Sequence, residues 1–157
     1  MTIDSKDRRI LAVLQRHADA PTRRIAKETR LPITTVHNRV KRLKEQGIIR
    51  HYTVALDYEK LGLPIAAYIL VNASLKDLKE KKLSQFWLAK KMRALDFVDE
   101  AAIVTGTSDI VLKVRMSSVK DLNTVLLQRI QALDGVQGTQ TLVIIAEVEA
   151  SSLPQPF

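Results

Sequence analysis

Within nine residues, Thr34 to Arg42, the chain carries Thr34, Thr35, His37 and Asn38 together with Arg39, Lys41 and Arg42. An Asn amide donates and accepts at once, so it can pair with two neighbouring groups on an adenine edge, while Thr and His bond single groups. Lys and Arg attract phosphate whatever the base. That mixture suits the reading and gripping of a nucleic-acid duplex, with Thr34, Thr35, His37 and Asn38 as candidate base readers. Arg39, Lys41 and Arg42 are candidate phosphate contacts, joined by Arg50 beyond them and by Arg23 and Arg24 upstream. Asn38 leads the base readers because only its side chain offers the bidentate amide.

Such chemistry needs a platform that presents one face and buries the other. Ile33, Val36, Val40 and Leu43 recur at helical spacing, so Ile33 to Gln46 is expected to be a helix with an apolar inner stripe and the polar set outside. Upstream, Thr22 after Pro21 is a candidate N-cap, and Ile25, Ala26 and Leu31 supply inner contacts for a shorter helix and a tight corner. A first helix starts near Asp4, also a cap candidate, and runs through Ile10, Leu11 and Leu14 to about Arg16. Together these make a helix-turn-helix unit whose second helix enters a major groove. Gly47 ends the long helix, and Ile48 to Leu56, rich in β-branched and aromatic residues, is expected to be a strand that serves as a wing or leads onward.

Charge follows the same division. The net formal charge is +8, and residues 1–60 hold 14 basic and 7 acidic side chains against 11 and 10 in the remainder. A polyanionic partner is therefore expected for the first part specifically. There are no cysteines, which removes disulfides, thiol catalysis and Cys-ligated zinc. No 18-residue apolar run and no basic-then-apolar leader is present, so membrane insertion and export are not expected and a cytoplasmic setting is. An enzyme is not expected either: His17, His37 and His51 lack metal-type spacing, and Asp99 and Glu100, adjacent in a strand, would point to opposite faces.

Beyond Gly62 and Pro64 the pattern alternates: strand Pro64 to Ser74, helix from about Lys79 to Leu95, strand Phe97 to Gly106, a turn at Thr107 and Ser108, strand Asp109 to Met116, helix from about Val119 to Leu133, strand Val136 to Val148. That order is the ferredoxin-like βαββαβ arrangement, so the fold class is α+β. The division expected is a helix-turn-helix domain over 1–50, a linking strand or hinge over 51–62, the ferredoxin-like domain over 63–150 and a flexible tail over 151–157. Ile65 to Val71, Ile110 to Leu112 and Leu142 to Ala146 are contiguous apolar runs, whereas a sheet with one wet face alternates. Both faces are expected to be buried, the second by another copy of the chain, giving a two-fold dimer.

Four stretches in order, Ile3 to Leu11 (I-D-x-x-D-x-x-I-L), the long helix with Val40, Leu43 and Gly47, the hairpin TGTSDIVLKVRM and the ending GVQGTQTLVIIAEV, carry a resemblance to the Lrp/AsnC, or feast/famine, family of transcription regulators over about residues 3–150. The resemblance implies a first domain that binds double-stranded DNA in a sequence-specific way and a second, ACT-related domain that dimerises and binds a small-molecule effector, often an amino acid. It implies no other cofactor, and assembly of homodimers into higher homo-oligomers. It also places the effector pocket at the turn between the second and third strands, here Gly106, Thr107, Ser108 and Asp109, with Thr139 and Thr141 from the last strand. Thr107 stands where the family pattern has an acid, which removes one of two negative charges that would hold an amine. Thr139 and Thr141 flank Gln140 and so share one side of their strand. The family pattern has Ser or Thr capping the long helix; here Pro32 suits the first helical turn, with Leu31 at the cap. Which of Thr34 and Thr35 meets a base and which a phosphate stays open. A DNA-compacting architectural protein without effector would use the same phosphate chemistry and is the alternative reading.

Overall fold

The computed structural model describes residues 3–147, in two compact units that divide between Leu56 and Asp57. In the first, α1 (Ser5–Arg16) begins with a reciprocal cap: the Asp4 carboxylate accepts from the Lys6 and Asp7 N–H groups at 2.9 Å each, and Asp7 accepts from the Asp4 N–H at 3.3 Å. These bonds satisfy donors that a first helical turn leaves open. Ile10, Val13 and Leu14 form its buried stripe. Both following helices start differently from expectation. Pro21 and Pro32 themselves occupy the cap positions, so Thr22 is the first residue of α2 (Thr22–Thr29) and Ile33 the first of α3 (Ile33–Glu45). Each proline combines a ring-fixed φ, −65° and −57°, with an extended ψ, the half-entered geometry of a cap, and neither Thr22 nor Leu31 is needed there.

Val36 and Leu43 on α3 are fully buried; Val36 shares a core with Ile10, Val13, Leu14, Ile25 and Ala26, and Val40 packs partly against it. Ile33, expected in this stripe, is 53% exposed. At about 100° per residue it lies roughly 60° round the helix from Val36, on the margin of the buried arc. α3 closes on Gly47 at φ +69°, whose N–H bonds the Lys44 carbonyl, while Ile48 N–H bonds that of Leu43. The strand expected over Ile48 to Leu56 is not formed. No described segment offers it a ladder, and of its apolar residues Ile49 joins the core while Val54 and Leu56 stand exposed.

The second unit runs β1 (Ile65–Ala73), α4 (Leu75–Glu80), α5 (Gln85–Arg93), β2 (Val98–Ile103), β3 (Ile110–Met116), α6 (Val119–Val125) and β4 (Val136–Val143). All pairings are antiparallel, in the order β2-β3-β1-β4, which is the ferredoxin-like arrangement. The single helix expected over Lys79 to Leu95 is two helices. Lys82 turns left-handed at φ 55° and Ser84 caps a fresh start, accepting from Trp87 N–H at 3.1 Å. α6 ends in a π-helical turn, Leu126–Ile130, and β4 stops at Val143, short of the expected Val148. Gly135, before β4, has φ +87°, and a Cβ there would collide with the Leu78 side chain.

The helices cover one face of the sheet, burying Ala67, Ile69, Val71, Ile110, Leu112, Val114 and Met116. The other face is less uniformly apolar than the contiguous runs imply. Ala66, Tyr68, Leu70, Val111 and Leu142 make its apolar part, with Tyr68 and Leu142 39% and 46% exposed. Beside them Arg115 bonds Asp99 and Glu147 at 3.0 Å each, Lys113 bonds Glu147 at 2.8 Å, and the Tyr58 ring lies 3.9 Å from the Arg115 guanidinium carbon. Asp99 sits at a register shift in β2, between Val98 and Glu100.

Candidate nucleic-acid interface

α3 carries the polar side chains that sequence reasoning singled out, and burial sorts them. Thr34, His37, Asn38 and Lys41 are exposed, Thr35 is half-buried, and Asn38 has no internal side-chain partner among the described residues. With Val36 and Leu43 at the centre of the buried arc, Thr34, Asn38 and Lys41 fall on the opposite side of the helix. Lys41 is 68% exposed and lies 3.9 Å from Glu45, a loose surface pair.

Arg39 and Arg42, expected on phosphate, are turned toward α1 instead. Arg39 Nη1 donates to Asp4 at 2.7 Å and to Asp7 at 2.9 Å, and Arg42 Nη2 donates to Asp7 at 2.6 Å. The bond from Asp7 N–H and then that from Arg39 hold the Asp4 carboxyl down at about 2, and Asp4 followed by Asp7 raise the Arg39 pKa. Of the other expected phosphate contacts, Arg23 and Arg50 are exposed, and Arg24 is exposed but bonded to Glu28 at 2.9 Å, which lowers the Glu28 pKa.

One flank of α3 borders a cleft of about 340 Å³ lined by Thr22, His37, Lys41, Lys44 and Tyr52, with Lys44 Nζ 4.8 Å from the Tyr52 ring centre. Sequence reasoning passed over Lys44. The signal was present, since Lys44 follows His37 by seven residues and Lys41 by three and so shares their flank. The cleft joins two cations to hydroxyl and imidazole groups beside the exposed arc, a combination suited to a phosphate.

In the second unit the turn expected at an effector pocket lies at the end of the sheet where β1 terminates. Gly106 has φ +133°, and Thr107 is exposed. Asp109 is already engaged, its carboxylate accepting from Ala73 N–H at 2.8 Å and from Gln85 Nε2 at 2.7 Å. Across β1, Thr139 and Thr141 pair with Val71 and Ile69 and so lie on the helix-bearing side. Thr139 Oγ1 accepts from Gln131 at 2.7 Å. Thr141 Oγ1 is buried with no partner among the described residues, at a groove formed with Val119, Lys120, Leu122, Asn123 and Leu126. The turn and the threonine pair therefore lie on opposite sides of β1, with Thr141 facing the middle of that strand. Among the described residues no group of three or more His, Cys, Asp or Glu could hold a metal ion, and no helix is long and apolar enough to cross a membrane.

Residues 3–50 match a family model for winged helix-turn-helix DNA-binding domains, and residues 67–154 match that of the Lrp/AsnC ligand binding domain. Among curated relatives, the HTH-type transcriptional regulator FL11 of Pyrococcus abyssi is 34% identical, over 98% of this chain and 97% of that protein. The regulatory protein AsnC of Haemophilus influenzae is 35% identical over 90% of each. Among solved structures, a transcriptional regulator of Neisseria meningitidis in complex with L-methionine superposes with a TM-score of 0.86 at 27% identity, covering 99% of this chain and 98% of that one. AsnC of E. coli gives 0.83 at 29%, covering 99% and 100%.

Proposed function

Because the chain belongs to the Lrp/AsnC family of transcriptional regulators, with a helix-turn-helix DNA-binding domain and a ligand-binding domain, we propose that it binds specific double-stranded DNA sites as a two-fold dimer. Each protomer inserts α3 into a major groove, and the two grooves are successive, about 34 Å apart, on a pseudo-palindromic site. Asn38 reads a base, with Thr34, Thr35 and His37 beside it, and Arg23, Arg24, Lys41, Lys44 and Arg50 take phosphates. The observation that carries this reading is the exposed arc of Thr34, His37, Asn38 and Lys41 on a helix whose other side is locked in the core by Val36 and Leu43. The apolar part of the open sheet face, Tyr68, Leu70, Val111 and Leu142, supports pairing of two copies there. Selection of bound duplex from a random pool tests it. Two short conserved half-sites about one turn apart are expected, and an unselected pool or uniform coating of DNA would reject site-specific regulation in favour of an architectural role.

We further propose that an amino acid or a close analogue modulates assembly of the dimers and thereby the spacing of the DNA-binding helices. Support comes from the match to a ligand-binding domain and from the relative of known structure that holds L-methionine. In this chain the neutral Thr107 and the internally bonded Asp109 offer an amine less than a free carboxylate would, so the hydroxyls of Thr107 and Ser108 carry more of the recognition. Sedimentation of the protein with and without each of the common amino acids is the check. A shift in mass with at least one is expected; none across the set removes the effector.

A further inference from the structure

Two arginines of the recognition helix turn their guanidinium groups to the start of α1, and one carboxylate holds both. Asp7, at the third position of α1, keeps a side chain only 1% exposed, and its two oxygens are divided between Arg39 and Arg42, one helical turn apart on α3. Asp4 adds a second carboxylate to Arg39. The Arg39 side chain is 20% exposed, and although that of Arg42 is 42% exposed its Nε is buried with no partner among the described residues, so the inner part of that guanidinium is enclosed where it stands. The two positive charges meet two negative charges within hydrogen-bond distance, and little of their field is left for a distant phosphate.

We infer that Asp7 is a positioning residue for DNA recognition, which fixes the roll of α3 through Arg39 and Arg42, and that neither arginine contacts the DNA backbone. The inference rests on α3 being the recognition helix. Apolar packing by Val36 and Leu43 sets how deep α3 sits, yet smooth side chains resist rotation about the helix axis weakly. A directional pair of ionic hydrogen bonds three residues apart resists it strongly. An atom about 6 Å from the axis moves roughly 1.5 Å for a roll of 15°, enough to carry the Asn38 amide out of hydrogen-bond range of a base edge. The cost of a lost clamp therefore falls on the specific site and spares binding to unrelated duplex.

Affinity of the full-length protein for its selected site and for an unrelated duplex, each measured from 50 to 300 mM salt, separates positioning from phosphate contact. Arg39→Ala, Arg42→Ala, Asp7→Asn and the double variant Asp7→Asn/Arg39→Ala are compared at a temperature where circular dichroism shows each folded. Expected are a loss of about tenfold at the selected site, unrelated-duplex binding within twofold of the parent, an unchanged salt slope, and a double variant no worse than the weaker of its two singles. A slope flattened by about one unit in Arg39→Ala or Arg42→Ala, the signature of a lost phosphate contact, would overturn the inference, as would additive losses in the double variant. Should Asp7→Asn fail to fold, the slopes of the two arginine variants still decide. Failure of the parent protein to bind any duplex would reject the DNA-binding reading itself and is told apart by that control.

Discussion

Asn38→Ala separates reading from gripping. Asn38 is exposed, has no internal side-chain partner among the described residues and lies opposite the buried Val36 and Leu43, so its removal leaves the fold's contacts intact. Alanine is also the better helix former by about 0.5 kcal/mol, and the expected change in stability is within roughly that amount and not downward. The whole effect is then on the duplex. A bidentate amide-to-adenine pair contributes about 1–3 kcal/mol of discrimination, or roughly 5- to 150-fold per half-site. Because the group lost is uncharged, unrelated duplex should be bound as before and the salt slope should not change. Fluorescence anisotropy on the selected site and on a scrambled duplex, with a thermal melt of the variant, gives all three quantities. Equal losses on the two duplexes would refute the reasoning, because a base reader acts only where its base is present.

Leu43→Ala empties a fully buried position under α3 and should lower the stability of the first unit by about 2–5 kcal/mol, read as a fall in Tm of about 8 °C or more; a smaller fall would mean that α3 is not anchored by this stripe. Gly135→Ala forces a Cβ into Leu78 at a positive φ and should destabilise the second unit by about 2–3 kcal/mol in urea unfolding, whereas Gly47→Ala, where no atom lies within 4 Å, carries only the smaller backbone penalty; equal losses would argue against the collision. Leu142→Glu puts a charge on the apolar part of the open sheet face, and sedimentation should show a halved mass; an unchanged mass would move the dimer contact elsewhere. The Asp4 carboxyl, held at about 2 by Asp7 N–H and then Arg39 against an ordinary 3.8, stabilises the fold above pH 3.8, and that contribution is lost as the pH falls through about 2. Thermal melts from pH 5 to 2 should therefore fall more steeply for the parent than for Asp4→Asn, and parallel curves would contradict the cap assignment.

Periodicity alone revealed the two faces of α3, because Val36, Val40 and Leu43 repeat at the helical period and the polar residues fill the gaps. It could not say which way the arginines on the margin turn. Arg39 belongs to the fold because Asp4 and Asp7 wait at the start of α1, more than thirty residues earlier, and only tertiary packing brings them opposite. Their own sequence pattern, an acid at the cap and another three residues on, was readable as a helix start and not as a receptor for α3. The strand expected over Ile48 to Leu56 followed from composition, and composition does not supply a pairing partner. The break between α4 and α5 was signalled by Ser84, a capping residue, but without Gly or Pro nearby the longer helix was the simpler reading. In β3 the alternation of Val111, Lys113 and Arg115 marked the mixed open face, obscured by the apolar run before it. The shared side of Thr139 and Thr141 was legible from strand geometry; that Asp109 would be consumed by Ala73 and Gln85 was not, since both partners come from elements remote in sequence.

Methylation interference on the selected DNA site tests most directly whether α3 reads from the major groove. Methyl groups at guanine N7 lie in that groove and those at adenine N3 in the minor groove. Interference at N7 in two patches about ten base pairs apart, with N3 methylation tolerated at the same positions, is the result expected. Interference confined to N3, or none at either position while binding persists, would contradict the account.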